Sequence, residues 1–127
     1  MSRGLSIQGL CVADNTGEMV VDDVTLDVAF GRVTALVGES GSGKTVTSLA
    51  AMDLLPSGLE RVAGRVVFDD EVQDAAGLRS LRGRDLVMVF QEPMTALNPV
   101  MRIGQQLLES RRGPSGSRSA DRAWCRD

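Results

Sequence analysis

A chain of 127 residues, 43% apolar and 24% charged, has the composition of one soluble globular domain with a modest core. A net charge of −3 and a pI near 4.9 exclude the basic face that nucleic-acid binding requires, so no nucleic-acid partner is expected. The apolar runs fall short of a bilayer span and no signal-peptide apolar region opens the chain, which sets the expectation of a cytoplasmic location.

In chain order, Leu5–Val12 alternates enough to read as a strand, ended by the turn signal Asp14-Asn15-Thr16-Gly17. Val20-Val21 and Val24–Val28 read as an edge or half-buried strand, and Phe30-Gly31-Arg32 turns the chain onward. These elements predict a small antiparallel sheet. Arg32–Val37 reads as a buried strand, and Thr45–Leu55 as a helix with Val46, Leu49, Ala50 and Leu54 on its core face, stopped by Pro56-Ser57-Gly58. Gly64–Phe68 is a further strand, Gln73–Arg82 a short helix with Leu78 and Leu81 inward, and Leu86–Phe90 a fully buried strand. A buried strand delivers the next residue in the chain, here Gln91, to the sheet edge where open α/β folds bind ligands.

Between the predicted strand Arg32–Val37 and its helix lies Gly38-Glu39-Ser40-Gly41-Ser42-Gly43-Lys44-Thr45, which fits G-x-x-x-x-G-K-[ST] at every fixed position. The glycines let successive backbone N–H groups turn inward on a triphosphate, and the helix start adds partial positive charge. Lys44 is placed for the β and γ phosphates, and the Thr45 hydroxyl for Mg²⁺. Lys44 is the only lysine among 14 basic residues, standing where a compact charge on a flexible stem is needed. The alternative is a Gly/Ser turn without a ligand. Two acidic groups, Asp22, Asp23 and Asp27, then Asp69, Asp70, Glu71 and Asp74, fit solvated loops and strand ends better than a metal site. Cys11 and Cys125 are too few and too far apart for a metal site or disulfide framework.

The stretch Phe90-Gln91-Glu92-Pro93-Met94-Thr95-Ala96-Leu97-Asn98-Pro99, taken with the phosphate loop, resembles the ATP-binding subunits of ABC (ATP-binding cassette) transporters, in the branch that serves oligopeptide, dipeptide and nickel import. Leu81-Arg82-Gly83-Arg84-Asp85 and Pro99-Val100-Met101-Arg102-Ile103-Gly104-Gln105-Gln106 resemble the same branch, so the likeness covers about residues 5 to 110. It implies an α/β fold, a P-loop nucleotide-binding core with an N-terminal antiparallel β subdomain, truncated before the helical subdomain is complete. It further implies ATP and Mg²⁺ as cofactors and a Gln91 amide that reaches the metal, held with Thr45, and the attacking water. Membrane-spanning permease subunits would meet the loop from Gln91 to Pro99, and a second ATP-binding subunit would complete a dimer on the inner face of the cell membrane. A side-chain amide suits Gln91, since it both accepts from a water and donates to a phosphate oxygen. Glu92 is a loop charge in this reading, because the family's catalytic carboxylate comes from a later strand.

The sequence departs from the family twice. Val12-Ala13-Asp14 offers no aromatic residue to stack an adenine, and the chain has no tyrosine. After residue 112 it continues as Gly113-Pro114-Ser115-Gly116-Ser117-Arg118-Ser119, linker-like in composition, and it holds no L-S-G-G-Q signature, no apolar strand ending in Asp-Glu and no histidine. The expectation is a domain part over 1–112 and a disordered tail over 113–127, where Arg118, Arg122 and Arg126 fall four apart among Ser and Asp as in a solvated tail, and Trp124 and Cys125 suggest a truncated gene or altered reading frame. Two functions remain open. One is the ATP-binding part of a transport-energising subunit, unable to hydrolyse ATP alone; the other is a residual nucleotide-binding or interaction module. In both, the apolar faces of Arg32–Val37 and Leu86–Phe90 stay partly uncovered for want of flanking strands.

Overall fold

A computed structural model describes residues 4–91 and 97–111, in two compact units, Met1–Ser80 and Leu81–Asp127. The expectations for loop residues 92–96 and for the tail over 113–127 lie outside the described residues. The α/β class holds, with an N-terminal antiparallel sheet followed by the phosphate loop and its helix. Strands β1 (Gly4–Asp14), β2 (Met19–Ala29), β3 (Leu59–Phe68) and β4 (Glu71–Gln73) form one sheet in the order β2-β1-β3-β4. Helix α1 (Lys44–Ala51) lies between β2 and β3 in the chain, α2 (Ala75–Leu81) comes after β4, and α3 (Ile103–Arg111) belongs to the second unit.

The β1–β2 hairpin is made by one side chain. Asp14 Oδ1 accepts from the Thr16 N–H at 2.8 Å, the Thr16 hydroxyl at 2.6 Å and the Glu18 N–H at 3.0 Å. These donors, the Thr16 hydroxyl foremost, hold the Asp14 carboxyl below its ordinary value. Register obeys the apolar pattern, with Leu5 opposite Val28, Ile7 opposite Leu26 and Val12 opposite Val21. Ile7, Leu10, Val12 and Val21 then bury one face against Ala50 and Ala51 of α1, with Leu5, Val24, Leu26, Val46, Leu55 and Leu59 packed around them. The step from Ile7 to Leu10 is three residues instead of two, because β1 bulges there with Gly9 at φ 59°. Gly64 crosses this bulge so closely that a Cβ on it would lie 2.6 Å from the Gly9 carbonyl oxygen, at φ +91°. Only glycine fits.

The acidic cluster beyond β3 falls in a turn. Asp69 and Asp70 take φ 49° and 67°, the two left-handed residues of a two-residue hairpin between β3 and β4. Asp69 also clips the hairpin to the start of β1, its Oδ1 accepting the Gly4 N–H at 3.0 Å and its own N–H donating to the Gly4 carbonyl at 3.0 Å. Asp74 caps α2 by accepting the Gly77 N–H at 2.7 Å, and Leu78 and Leu81 are buried as expected.

Several boundaries differ from expectation. Residues 32–37 and 87–90 form no strand: Val33 is 98% exposed, Val37 88% and Val89 92%, and a single bridge, Arg82 to Leu86, touches the second segment. A strand exists only where a neighbour completes its hydrogen bonds and covers its faces, and among the described residues these two have none. Helix α1 stops at Ala51, four residues early. Asp53 at φ 54° takes the left-handed position, with Asp53 N–H on the Ala50 carbonyl at 3.1 Å and Leu54 N–H on the Leu49 carbonyl at 2.9 Å, the double closure of a Schellman end. Leu54 is thereby turned out and Leu55 packs on the core instead. Pairing with β1 extends β3 back to Leu59, and Glu71–Gln73 pairs with its end as β4, which takes Gln73, the first residue of the expected helix, so that α2 starts at Ala75.

Candidate phosphate-binding site

The loop Gly38–Thr45 hangs from the N-terminus of α1 in the first unit. Gly41 and Gly43 take φ 81° and 86°, a backbone that glycine alone adopts without strain. A Cβ on Gly41 would meet nothing within 4 Å, whereas one on Gly43 would lie 3.0 Å from the Val20 carbonyl oxygen and 3.2 Å from Val21. The two glycines therefore do different work: Gly43 lets the loop sit against β2, and Gly41 leaves space open above it. A Cβ on Gly38 would lie 2.5 Å from the Ser42 hydroxyl, so the loop's first and fifth residues are also in close approach. Between them Ser42 N–H donates to the Glu39 carbonyl at 3.2 Å, which tightens the bend.

Lys44 folds back along this bend. Its Nζ donates to the Gly38 carbonyl at 2.7 Å, the Glu39 carbonyl at 2.5 Å and the Ser42 hydroxyl at 3.2 Å, which places a positive charge beside the loop backbone on three neutral acceptors. At the helix start, Thr47 fixes the first turn by donating both its N–H, at 2.8 Å, and its hydroxyl, at 2.9 Å, to the Gly43 carbonyl. The amides of residues 43 to 46 precede that first bond and so lie outside the helical ladder. No acidic residue occupies the first turn and no side chain caps it. Aligned amides, the helix dipole and an ammonium thus converge at one end of α1, an arrangement that suits an oxyanion. Thr45 is exposed at the same end and carries the hydroxyl that a metal there would need. Thr47 was not singled out from the sequence. Its signal in the sequence is a hydroxyl residue three past the lysine, one helical turn before Ala50 of the expected core face.

Gln91 lies in the second unit, exposed just past the strandless segment 87–90. The structure therefore gathers Gly38, Glu39, Ser40, Gly41, Ser42, Gly43, Lys44 and Thr45 in one loop, while Gln91 belongs to a separately described unit. At the end of β1, a cleft of about 310 Å³ is lined by Asp14, Asn15, Gly58, Leu59 and Glu60, with no aromatic residue among them. Among the described residues no group of three or more His, Cys, Asp or Glu is placed to hold a metal, and no helix is long and apolar enough to cross a membrane.

Comparison with known proteins agrees on the family. A model described as ABC transporter matches residues 21–126. The nickel import ATP-binding protein of Rhodospirillum rubrum is 46% identical over 99 residues, covering 76% of this chain and 37% of that protein. The glutathione import ATP-binding protein of Salmonella typhimurium is 42% identical over 125 residues, covering 89% and 20%. The peptidoglycan transport ATP-binding protein of Agrobacterium fabrum is 43% identical over 112 residues, covering 83% and 20%. The chain spans between 20% and 37% of the length of these curated relatives. Matched by the family model over most of its length, the chain belongs to the ABC transporter family.

Proposed function

We propose that this chain binds ATP·Mg²⁺ through Gly38–Thr45, as the nucleotide-binding part of a subunit that energises import of peptides or a related small solute. The observation that carries this reading is the end of α1, where Lys44, two left-handed glycines and uncapped helix amides converge with no acidic residue in the helix's first turn. Such a cradle suits the phosphates of a nucleotide. The Thr45 hydroxyl would hold Mg²⁺ from one side, and the Gln91 amide would serve the metal and the attacking water. Permease subunits would be met by the loop from Gln91 to Pro99 and a second ATP-binding subunit by the nucleotide face, which would put the protein on the cytoplasmic side of the membrane. The importers named among its relatives support the substrate class.

Turnover by the chain alone is not part of this proposal. Hydrolysis needs a base, further donors on the γ-phosphate and a metal held from both sides; Lys44, Thr45 and Gln91 are identified, and the sequence holds no signature segment or histidine for the remaining roles. A calorimetric titration of the chain with ATP·Mg²⁺ tests the proposal, and absence of saturable heat would sink it.

A further inference from the structure

The Asn98-Pro99 dipeptide ends the candidate permease-contacting loop and starts a defined turn in the second unit. Met101 N–H donates to the Asn98 carbonyl at 3.2 Å and Val100 N–H to the Asn98 side-chain oxygen at 3.1 Å. Asparagine first and proline second are the residues that such a turn favours, the one for its side-chain acceptor and the other for its fixed φ. Turn chemistry alone does not hold it in place.

Gln106, in the first turns of α3, supplies the anchor. Its Oε1 accepts the Asn98 N–H at 2.9 Å, while its Nε2 donates to the Asn98 carbonyl at 3.0 Å and the Met101 carbonyl at 3.0 Å. The carboxamide pairs with the Asn98 peptide as a neighbouring strand would, and spends its second N–H on the other end of the same turn. One acceptor and two donors at this reach are what a glutamine offers. Glutamate lacks the donors and asparagine is a methylene shorter. Gln106 is half-buried, and its neighbours Gln105 and Leu107 are exposed.

We propose that Gln106 is a positioning residue that locks the Asn98–Met101 turn, and through it the C-terminal anchor of the loop from Gln91 to Pro99. A turn whose backbone is fixed in advance loses less freedom when it meets a partner. The inference rests on the reading of that loop as a contact element, but its test does not depend on nucleotide or permease.

Amide hydrogen exchange on the 127-residue chain, its Gln106→Ala variant and its Gln106→Glu variant is the experiment. In Gln106→Ala, protection at Asn98, Val100 and Met101 should fall about tenfold or more, while amides of β1 and β3 stay unchanged. In Gln106→Glu the charged carboxylate keeps the acceptor for Asn98 N–H but faces two carbonyls without a donor. Protection of the turn should therefore be low at neutral pH and recover as the carboxyl protonates, a pH profile that the wild-type chain lacks once intrinsic exchange is normalised. Unchanged protection in Gln106→Ala, a parallel loss in the sheet, or a flat pH profile for Gln106→Glu would overturn the assignment. A chain that shows no heat with ATP·Mg²⁺ strikes the nucleotide reading, and the exchange result still decides the role of Gln106.

Discussion

The Lys44 ammonium lies 2.7 Å from the Gly38 carbonyl oxygen, so the phosphate loop is closed by a contact between its first residue and its lysine. An incoming triphosphate would take over donors that this lysine now spends on the loop itself. Lys44→Ala should weaken ATP·Mg²⁺ binding tenfold or more, about 1.4 kcal/mol or above. Calorimetric titration checks this, and equal affinity of the two chains would remove Lys44 from the site.

Turnover gives a separate expectation. Purified chain and Lys44→Ala should release phosphate at the same background rate, because the loss of even one preorganised donor typically costs two to three powers of ten and several are unaccounted for. A Lys44-dependent steady-state rate near ~1 per second, the low end of ordinary enzyme turnover, would show that some residue of the chain supplies the base.

Gly64→Ala should be strongly destabilising. The new Cβ would lie 2.6 Å from both the Gly9 carbonyl oxygen and Leu10 Cα, at φ +91°, with backbone on the opposing side. Left-handed strain and overpacking each cost about 1–3 kcal/mol, a large part of a small domain's stability. Urea unfolding monitored by circular dichroism measures it. A midpoint within error of wild type would mean that β1 and β3 do not cross at Gly9 and Gly64.

The Asp14 turn carries a pH dependence of definite sign. Thr16 and Glu18 donors lower the folded-state value of the carboxyl below its ordinary 3.8. The unfolded chain therefore takes up the proton first on acidification. Asp14 contributes its stabilisation above 3.8 and loses it as pH falls through the lower folded value. Asp14→Asn should be less stable than wild type at neutral pH, and the gap should narrow in acid. Denaturation midpoints for the two chains across the acid range test this; a gap that stays constant or widens as pH falls counts against it.

The uncovered apolar segments should govern solubility. Val33 and Val89, 98% and 92% exposed, lie in strandless stretches rich in β-branched and apolar residues, the pattern that promotes edge pairing between copies. Val33→Lys with Val89→Lys should slow aggregation in light scattering while the urea midpoint shifts by no more than about 0.5 kcal/mol, as for surface changes. A marked loss of stability would show that these side chains are buried in solution.

Much of this protein was legible in its residues because the determinants are local. The loop Gly38–Thr45 needs a particular order of glycines, a lysine and a hydroxyl, and each acts within a few residues of the next. The Asp14–Gly17 turn and the apolar pairing of Leu5–Val12 with Val20–Val28 are short-range in the same sense. With the motif at Phe90–Pro99, the phosphate loop placed the chain in its family. Tertiary structure decided the rest. Arg32–Val37 and Leu86–Phe90 carry strand-forming residues and yet form none, since strand formation depends on a neighbour that a residue pattern does not name. Leu59–Ala63 looked like connection and became strand because β1 lay alongside. Asp53 ended α1 ahead of the proline by a left-handed backbone conformation that aspartate tolerates better than most residues, and Gly64 was required only because Gly9 passes beneath it. Gln106 found its three partners across a turn whose closure brings residues 98 and 106 together. These choices turn on which segments meet in space, and each residue taken singly is compatible with several answers.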